Sequence, residues 1–321
     1  MTQNSSEELL YFWAIGDMHY RTLPAWQELH HQRFSIMLDD LNWLWWPENE
    51  GEPAFCISPG DVIEKGTVEN YELAQREIQM NLSEIPFIAG IGNHEFYQVE
   101  GTTPEELFSR MWGHPVRHRW TINGVLCILL DYPSPLVGDP QYIAISQETL
   151  AFLEESLRAH PDMPALIFLH CPLRNTVLDR DPLAHRDYNS TQNFFSPENS
   201  QEIRDLLARH QNACLYFSGH THSGWEAPQL VYTEELGQQT GEHPFTSINL
   251  MSPWYTGTHT GPRLGDENPD EPEATPVIYV ADDPDLIITF VVRIYRDKAI
   301  IRAREHRTQT WLHSWTLPIV L

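Results

Sequence analysis

Five times in this chain an apolar run long enough for one buried strand stops abruptly at residues able to hold a metal. Leu9–Ile15 stops at Gly16-Asp17-Met18-His19, Ala54–Ser58 at Gly60-Asp61, and Pro86–Ile91 at Gly92-Asn93-His94-Glu95. Pro164–Leu169 ends at His170, and Ala213–Phe217 at Gly219-His220-Thr221-His222. Unbroken apolar runs of this kind suit strands buried on both faces. Helical patterns alternate with them, over Trp26–Trp46, Val68–Asn81, Glu105–Trp112, Gln147–His160 and Pro197–His210. Such alternation predicts βαβ crossovers and a largely parallel inner sheet. Ligands gather beyond the carboxyl ends of strands in open α/β sheets, so the five loops are expected to meet at one sheet edge.

Elsewhere the pattern is antiparallel. His118–Ile122 and Val125–Asp131 flank Asn123-Gly124, a pair suited to a type I′ hairpin turn. Phe245–Leu250, Leu286–Tyr295 and Ala299–Arg304 read as further strands. Two stretches are irregular: Asn175–Asn199, and Thr256–Pro284 with its many Pro, Gly and acidic residues. Loops this long are lids, binding loops or disordered insertions. The expected organisation is one domain over residues 1–321, with a motif-bearing core at about 10–225 and antiparallel strands at about 245–321.

The donor set has its own chemistry. Asp and Asn supply hard oxygens and His a borderline nitrogen, which suits Mn, Fe, Zn or Co better than an all-oxygen Ca or Mg cage. Glycines before Asp17, Asp61, Asn93 and His220 permit tight turns and close backbone approach. Taken singly, an Asp after Gly is a common turn or cap, and a loop His is usually just solvated. Five such segments in one order are a different matter.

With these residues the sequence resembles the calcineurin-like metallophosphoesterases, whose pattern is D-x-H, G-D, G-N-H-[DE], H and G-H-x-H. The resemblance spans residues 10 to 225. It implies a four-layer α/β/β/α sandwich with two central mixed sheets. It also implies two divalent metal ions, drawn from Mn, Fe, Zn, Ni or Co. Asp17, His19 and His222 would hold one, and Asn93, His170 and His220 the other, with Asp61 bridging. By the same resemblance His94 is the catalytic acid or a phosphate-binding group. The implied activity is hydrolysis of phosphate esters, as small phosphodiesters or phosphomonoesters. The run Gly60-Asp61-Val62-Ile63-Glu64-Lys65-Gly66 lacks the Asp-Arg-Gly of Ser/Thr protein phosphatases and the tyrosine of purple acid phosphatases. That leaves the phosphodiesterase-like branch.

Lesser features have two readings each. Glu95 is either a partner that orients His94 or a surface carboxylate. Arg174 either clamps phosphate or pairs with Asp179 or Asp181. Trp254, Tyr255, His259 and Arg263 either cover the core edge or receive an aromatic leaving group. His30-His31 reads as a solvated helix face, and Lys65 as a solvated lysine.

Charge bears on the partners. Twenty Lys and Arg against 45 Asp and Glu give a formal net charge of -25. That field repels nucleic-acid backbones, so a nuclease is the weaker alternative, and a small phosphorylated substrate is the expected partner. A noncatalytic scaffold is the other alternative, and it is expected to lack a ligand or His94. No apolar stretch has the length of a membrane span, residues 1–10 lack a secretory pattern, and Cys56, Cys127, Cys171 and Cys214 are scattered. A cytoplasmic protein with free thiols is expected.

Overall fold

In strand β1 (Glu8–Ala14) alternate side chains enter two different cores, as the two-residue period of a strand requires. Leu10, Phe12 and Ala14 join one apolar cluster, while Tyr11 and Trp13 join another. The computed structural model describes residues 7–82, 84–177, 180–181, 186–187, 194–223, 225, 227, 229–237, 242–253, 262–264, 278–280 and 286–321. After β1 the main strands are β2 (Cys56–Ser58), β3 (Phe87–Ala89), β4 (His118–Ile122), β5 (Val125–Leu129), β6 (Ala165–Phe168) and β7 (Ala213–Ser218). Then come β8 (Val231–Leu236), β9 (His243–Asn249), β10 (Ile288–Tyr295), β11 (Lys298–Glu305) and β12 (Thr310–Pro318). The helices are α1 (Pro24–Leu44), α2 (Val68–Leu82), α3 (Pro104–Trp112), α4 (Gln147–Ala159) and α5 (Pro197–Leu207).

Two six-stranded sheets result, ordered β12-β11-β10-β1-β2-β3 and β8-β9-β7-β6-β5-β4. In the first, β1, β2 and β3 run parallel and β10 to β12 antiparallel. In the second, β5, β6, β7 and β9 run parallel, with β4 and β8 antiparallel at the edges. The facing surfaces share one apolar cluster, in which the Phe12 ring lies 6.0 Å from Phe168 and 5.7 Å from Phe217. A second cluster joins the outer face of the first sheet to α1, α2 and α3. A third joins the outer face of the second sheet to α4 and α5. Three cores between four layers make the α/β/β/α sandwich.

One expectation is corrected. The five loops do not share one sheet edge: three follow β1, β2 and β3, and two follow β6 and β7 of the opposite sheet. They meet because both sheets turn the same end toward the same point. A Cβ on Gly219 would overlap the Asp17 carboxylate, so loops of the two sheets touch there.

Strand β8 escaped the sequence reading, and β12 was expected only as an unplaced part of the antiparallel stretch at about 245–321. Both are half exposed and carry polar residues between the apolar ones, so neither shows a buried run. The Asn123-Gly124 turn has φ of 48° and 82°, as a type I′ turn requires. Within the irregular stretches, 180–181 pair with 186–187, Phe194–Phe195 pair with Tyr142 and Ile143, and Pro262–Leu264 pair with Ile278–Val280. Trp254, Tyr255 and His259 lie outside the described residues, as do the side chain of Arg263 and most of 256–284. No described helix is long and apolar enough to cross a membrane. All four cysteines are free and buried.

A buried ionic cluster ties α1 to the carboxyl-terminal strands. Arg304 donates Nε and Nη2 to the two oxygens of Asp40, each at 2.7 Å. His306 Nδ1 lies 2.9 Å from Asp40, which leaves Nε2 to accept from Thr289 Oγ1 at 2.7 Å. Burial opposes the Asp40 charge, but Arg304 and His306 outweigh it and hold its pKa below the ordinary value. Its contribution is therefore present above about pH 3.9, the unfolded value, and is lost as pH falls through the folded one. Asp40→Ala strands Arg304 and His306 in an apolar core, so denaturant unfolding should show a loss of about 3–5 kcal/mol.

Candidate metal centre

Four of the side chains expected to bind metal leave backbone in the left-handed region: His19 (φ 51°), Asp61 (52°), His220 (73°) and His222 (48°). For residues with a Cβ this costs of order 1–3 kcal/mol each, and it persists only where surrounding contacts over-determine it. Those contacts are visible. The His19 amide donates to Asp61 O at 3.0 Å, His220 N to Asp17 Oδ1 at 2.8 Å, and Ser252 Oγ to Asp17 O at 2.6 Å. A Cβ at Gly60 would stand 2.6 Å from the His170 ring, and one at Gly92 would overlap the Asp61 carboxylate. Glycine is required at both positions by close approach rather than by φ.

Among the described residues three groups of side chains could each hold a metal ion: His19, Glu64 and His94 form one, and the expected ligands make up the other two. Of these two, one consists of Asp17, His19, Asp61 and His222, the other of Asp61, His170 and His220; Asp61 belongs to both. His19 Nε2 and His222 Nε2 face each other at 2.9 Å. His170 Nε2 is 3.0 Å from Asp61 Oδ2 and 3.7 Å from Asp17 Oδ1. Asp17 Oδ2 and Asn93 Oδ1 are buried with no hydrogen-bond partner among the described residues. Buried acceptors in that state call for a cation or a donor. Burial drives His19 down to about 4 and His220 to about 3, so both rings are neutral with a lone pair to offer. His170 moves the other way: although burial disfavours its charge, Asp61 and Asp17 push it up to about 9. The donor set thus fits a pair of divalent cations.

His94 stands beside these groups, its side chain 22% exposed, with its ring centroid 4.5 Å from His19. Its amide donates to Asp61 Oδ1 at 2.9 Å. Its Nδ1 lies 2.9 Å from Glu64 O, so the tautomer with hydrogen on Nδ1 leaves Nε2 free for proton transfer. Burial lowers the His94 pKa, and Asp61 and Glu64 raise it further than burial lowers it.

Three neighbours were missed in the sequence. Glu64 Oε2 lies 2.9 Å from His19 Nδ1 and 3.5 Å from His94 Nδ1, and its other oxygen pairs with buried Arg21. Tyr97 accepts from Asn93 Nδ2 at 3.2 Å, which orients the Asn93 carbonyl. Tyr132 sets its ring 6.0 Å from His170 and 6.5 Å from His220. Glu64 lies in the Gly60–Gly66 run, so its spacing from Asp61 was the available signal. For Tyr132 there was none beyond its place after an apolar run.

Other expectations change. Glu95 is neither a surface group nor a partner of the His94 ring. It is fully buried and its carboxylate accepts from the amides of Asp61 (3.1 Å), Val62 (2.9 Å), Ile63 (3.3 Å) and Gly92 (2.6 Å). It clasps the turn that carries Asp61, and burial together with the Asp61 charge pushes it up to about 7. His30 is buried, with Nε2 2.6 Å from Met18 O and its ring stacked on Phe34, while His31 is exposed. The carbonyl between Asp17 and His19 needs a donor, and His30 is placed to supply it. Arg174 donates Nη1 to Phe195 O at 3.2 Å and lies over the Tyr142 ring. Asp179 and the side chain of Asp181 lie outside the described residues.

Comparison with known proteins bears on the family and the fold. The family model for calcineurin-like phosphoesterases matches residues 10–224. A probable glycerophosphodiester phosphodiesterase GpdQ of Arcobacter nitrofigilis is 24% identical over 177 residues, 53% of this chain and 57% of the relative. GpdQ of Enterobacter lignolyticus, a glycerophosphodiester phosphodiesterase, is 25% identical over 174 residues, 53% of this chain and 56% of the relative. The matches thus span little more than half the length of these curated relatives. Purple acid phosphatase PPD1 of yellow lupin superposes with a TM-score of 0.60 at 13% identity, covering 98% of this chain and 54% of that one. PhoD superposes at 0.50 with 10% identity, covering 98% and 74%. These two likenesses concern the fold.

The Glu95 clasp is open to test. Glu95→Gln replaces one acceptor oxygen by a donor that opposes backbone amides. Metal titration followed by calorimetry should show affinity reduced roughly 10–100-fold, as for other groups that orient ligands.

Proposed function

The chain belongs to the calcineurin-like phosphoesterase family, and on that premise we propose that it hydrolyses phosphate esters with two divalent metal ions. The observation that carries this reading is the sharing of Asp61 between two adjacent groups of metal-binding side chains. Asp17, His19 and His222 would hold one ion; Asn93, His170 and His220 would hold the other; the Asp61 carboxylate would serve both. Bound there, the cations would lower the pKa of water to furnish a nucleophile at neutral pH and neutralise charge on the phosphoryl oxygens.

The chain's own residues account for the rest. His94, partly exposed and hydrogen-bonded through Nδ1, presents Nε2 as general acid to the leaving oxygen. Glu64 holds the rings of His19 and His94 in register, and the buried Arg21 beside it offsets its charge. Glu95 and Tyr97 fix the Asp61 turn and the Asn93 amide.

For the substrate we propose a small phosphodiester, which fits the two relatives named as glycerophosphodiester phosphodiesterases. A net charge of -25 disfavours the nuclease reading, since a polynucleotide would meet that field along its whole length. A noncatalytic scaffold would not need both ligand groups and His94 together. Four buried free thiols accord with a reducing compartment, the cytoplasm.

Metal-reconstituted protein should hydrolyse diesters such as glycerophosphodiesters faster than the matched monoesters, and a chelator should abolish turnover. Asp61→Asn should lose metal and activity together. His94→Ala should keep its metal content while kcat falls by about 10²–10⁴-fold, the usual worth of a general acid. Undiminished turnover in both variants would sink the mechanism.

A further inference from the structure

Tyr132 stands beside the candidate metal centre with a hydroxyl that no described residue hydrogen-bonds. It lies three residues beyond the end of β5, which runs parallel to β6 with Leu129 opposite Phe168. That register carries the chain out beside His170. The Tyr132 ring is 6.0 Å from His170, 6.5 Å from His220 and 5.8 Å from Phe96, so it spans the loops from both sheets. Its hydroxyl is buried and has no hydrogen-bond partner among the described residues. A buried phenol is ordinarily bonded, because leaving it unsatisfied costs free energy. Neighbouring atoms in the same condition are Asp17 Oδ2, Asn93 Oδ1 and the ring nitrogens of His170, all from residues assigned above to the metal pair.

Two uses suit such a hydroxyl: a phenolate ligand, or a donor to whatever the metals bind. The second ligand group already has Asp61, His170 and His220, with Asn93 beside them, so it needs no phenolate and the donor role is the one left for the hydroxyl. A phosphate ester presents oxygens that only accept hydrogen bonds, so the centre needs donors. Of the nearby donors, Arg21 pairs its Nη2 with Glu64, and the Asn93 amide donates to Tyr97.

We propose that Tyr132 is a catalytic residue whose hydroxyl donates a hydrogen bond to a non-bridging phosphoryl oxygen of the bound ester. This rests on the phosphoesterase reading above and adds a residue that the metal-ligand pattern does not include. The ring fills space between Phe96 and the two histidines, and the hydroxyl makes the contact.

Tyr132→Phe in the metal-reconstituted full chain removes only the hydroxyl. Metal content and melting temperature should stay at wild-type values. Inorganic phosphate, titrated calorimetrically, should bind about 10-fold or more weakly, and kcat/KM on a hydrolysed diester should fall about 10–100-fold, as for loss of a hydrogen bond to a charged group. Equal phosphate affinity in the two proteins overturns the proposal, whatever the turnover. So does loss of metal from Tyr132→Phe, or a visible charge-transfer band in the iron-loaded wild type that the variant lacks, because either makes Tyr132 a ligand. A wild type that binds phosphate through Tyr132 yet hydrolyses no ester would refute the enzymatic reading alone.

Discussion

Asp61 is a carboxylate with no access to water, and most of the site can be understood as the means of keeping it there. Burying such a charge costs several kcal/mol unless it is paired and hydrogen-bonded. Here Oδ1 accepts from the His94 amide, and Oδ2 faces His170 at 3.0 Å. Its backbone is pinned at both groups: the carbonyl accepts from His19, and the amide donates to Glu95. The partners come from three different loops, so the position of Asp61 sets the spacing of the others. Two further charges are drawn in by this. Glu95 must be buried to reach the turn, and Glu64 must be brought in to fix His19 and His94, with Arg21 behind it. The site becomes a concentration of carboxylates and imidazoles, which is an environment that cations stabilise.

How much of this was legible depended on how local the chemistry was. Asp17-x-His19, Gly92-Asn93-His94 and Gly219-His220-x-His222 each place their donors within one turn, so a few letters suffice to show them. The helices and the buried strands β1, β6 and β7 were equally plain, since each is a run bounded by glycine or a polar loop. What failed was whatever depends on contact across the fold. Glu64 meets His19 across 45 residues of chain, and Glu95 turns inward to amides 32 to 34 residues earlier. A lone Glu carries no sign of that. Nor does a lone His: His30 looked like part of a polar helix face and instead serves the Met18 carbonyl. The assignment of loops to sheets also failed, because identical strand patterns feed both sheets and only inter-sheet packing separates them.

Backbone strain explains why these loops need so much support. His19, Asp61, His220 and His222 all sit at positive φ, a conformation that aims their side chains inward at the cost of local stability. Glycine would relieve that strain and lose the donor. The fold therefore accepts strained ligands and surrounds them with hydrogen bonds to backbone, from Ser252, Glu95 and Asp17 itself. On the proposed function, loops held in this way would present their donors already in place, which is where electrostatic catalysis gains most.

The family match ends at residue 224, yet the ligand loops lean on strands and side chains beyond it. β10 pairs with β1 along nearly its whole length and gives the first ligand strand its second neighbour. Ser252, beyond β9, donates to the carbonyl of Asp17. Helix α1 links the two regions: His30 near its start supports the Asp17–His19 turn, and Asp40 near its end is bound by Arg304 and His306. A displacement of the carboxyl-terminal strands would therefore reach the first metal group by two routes, through β1 directly and through α1. Residues 286–321 contribute no donor to the metal groups found among the described residues, and they still help set where those donors stand.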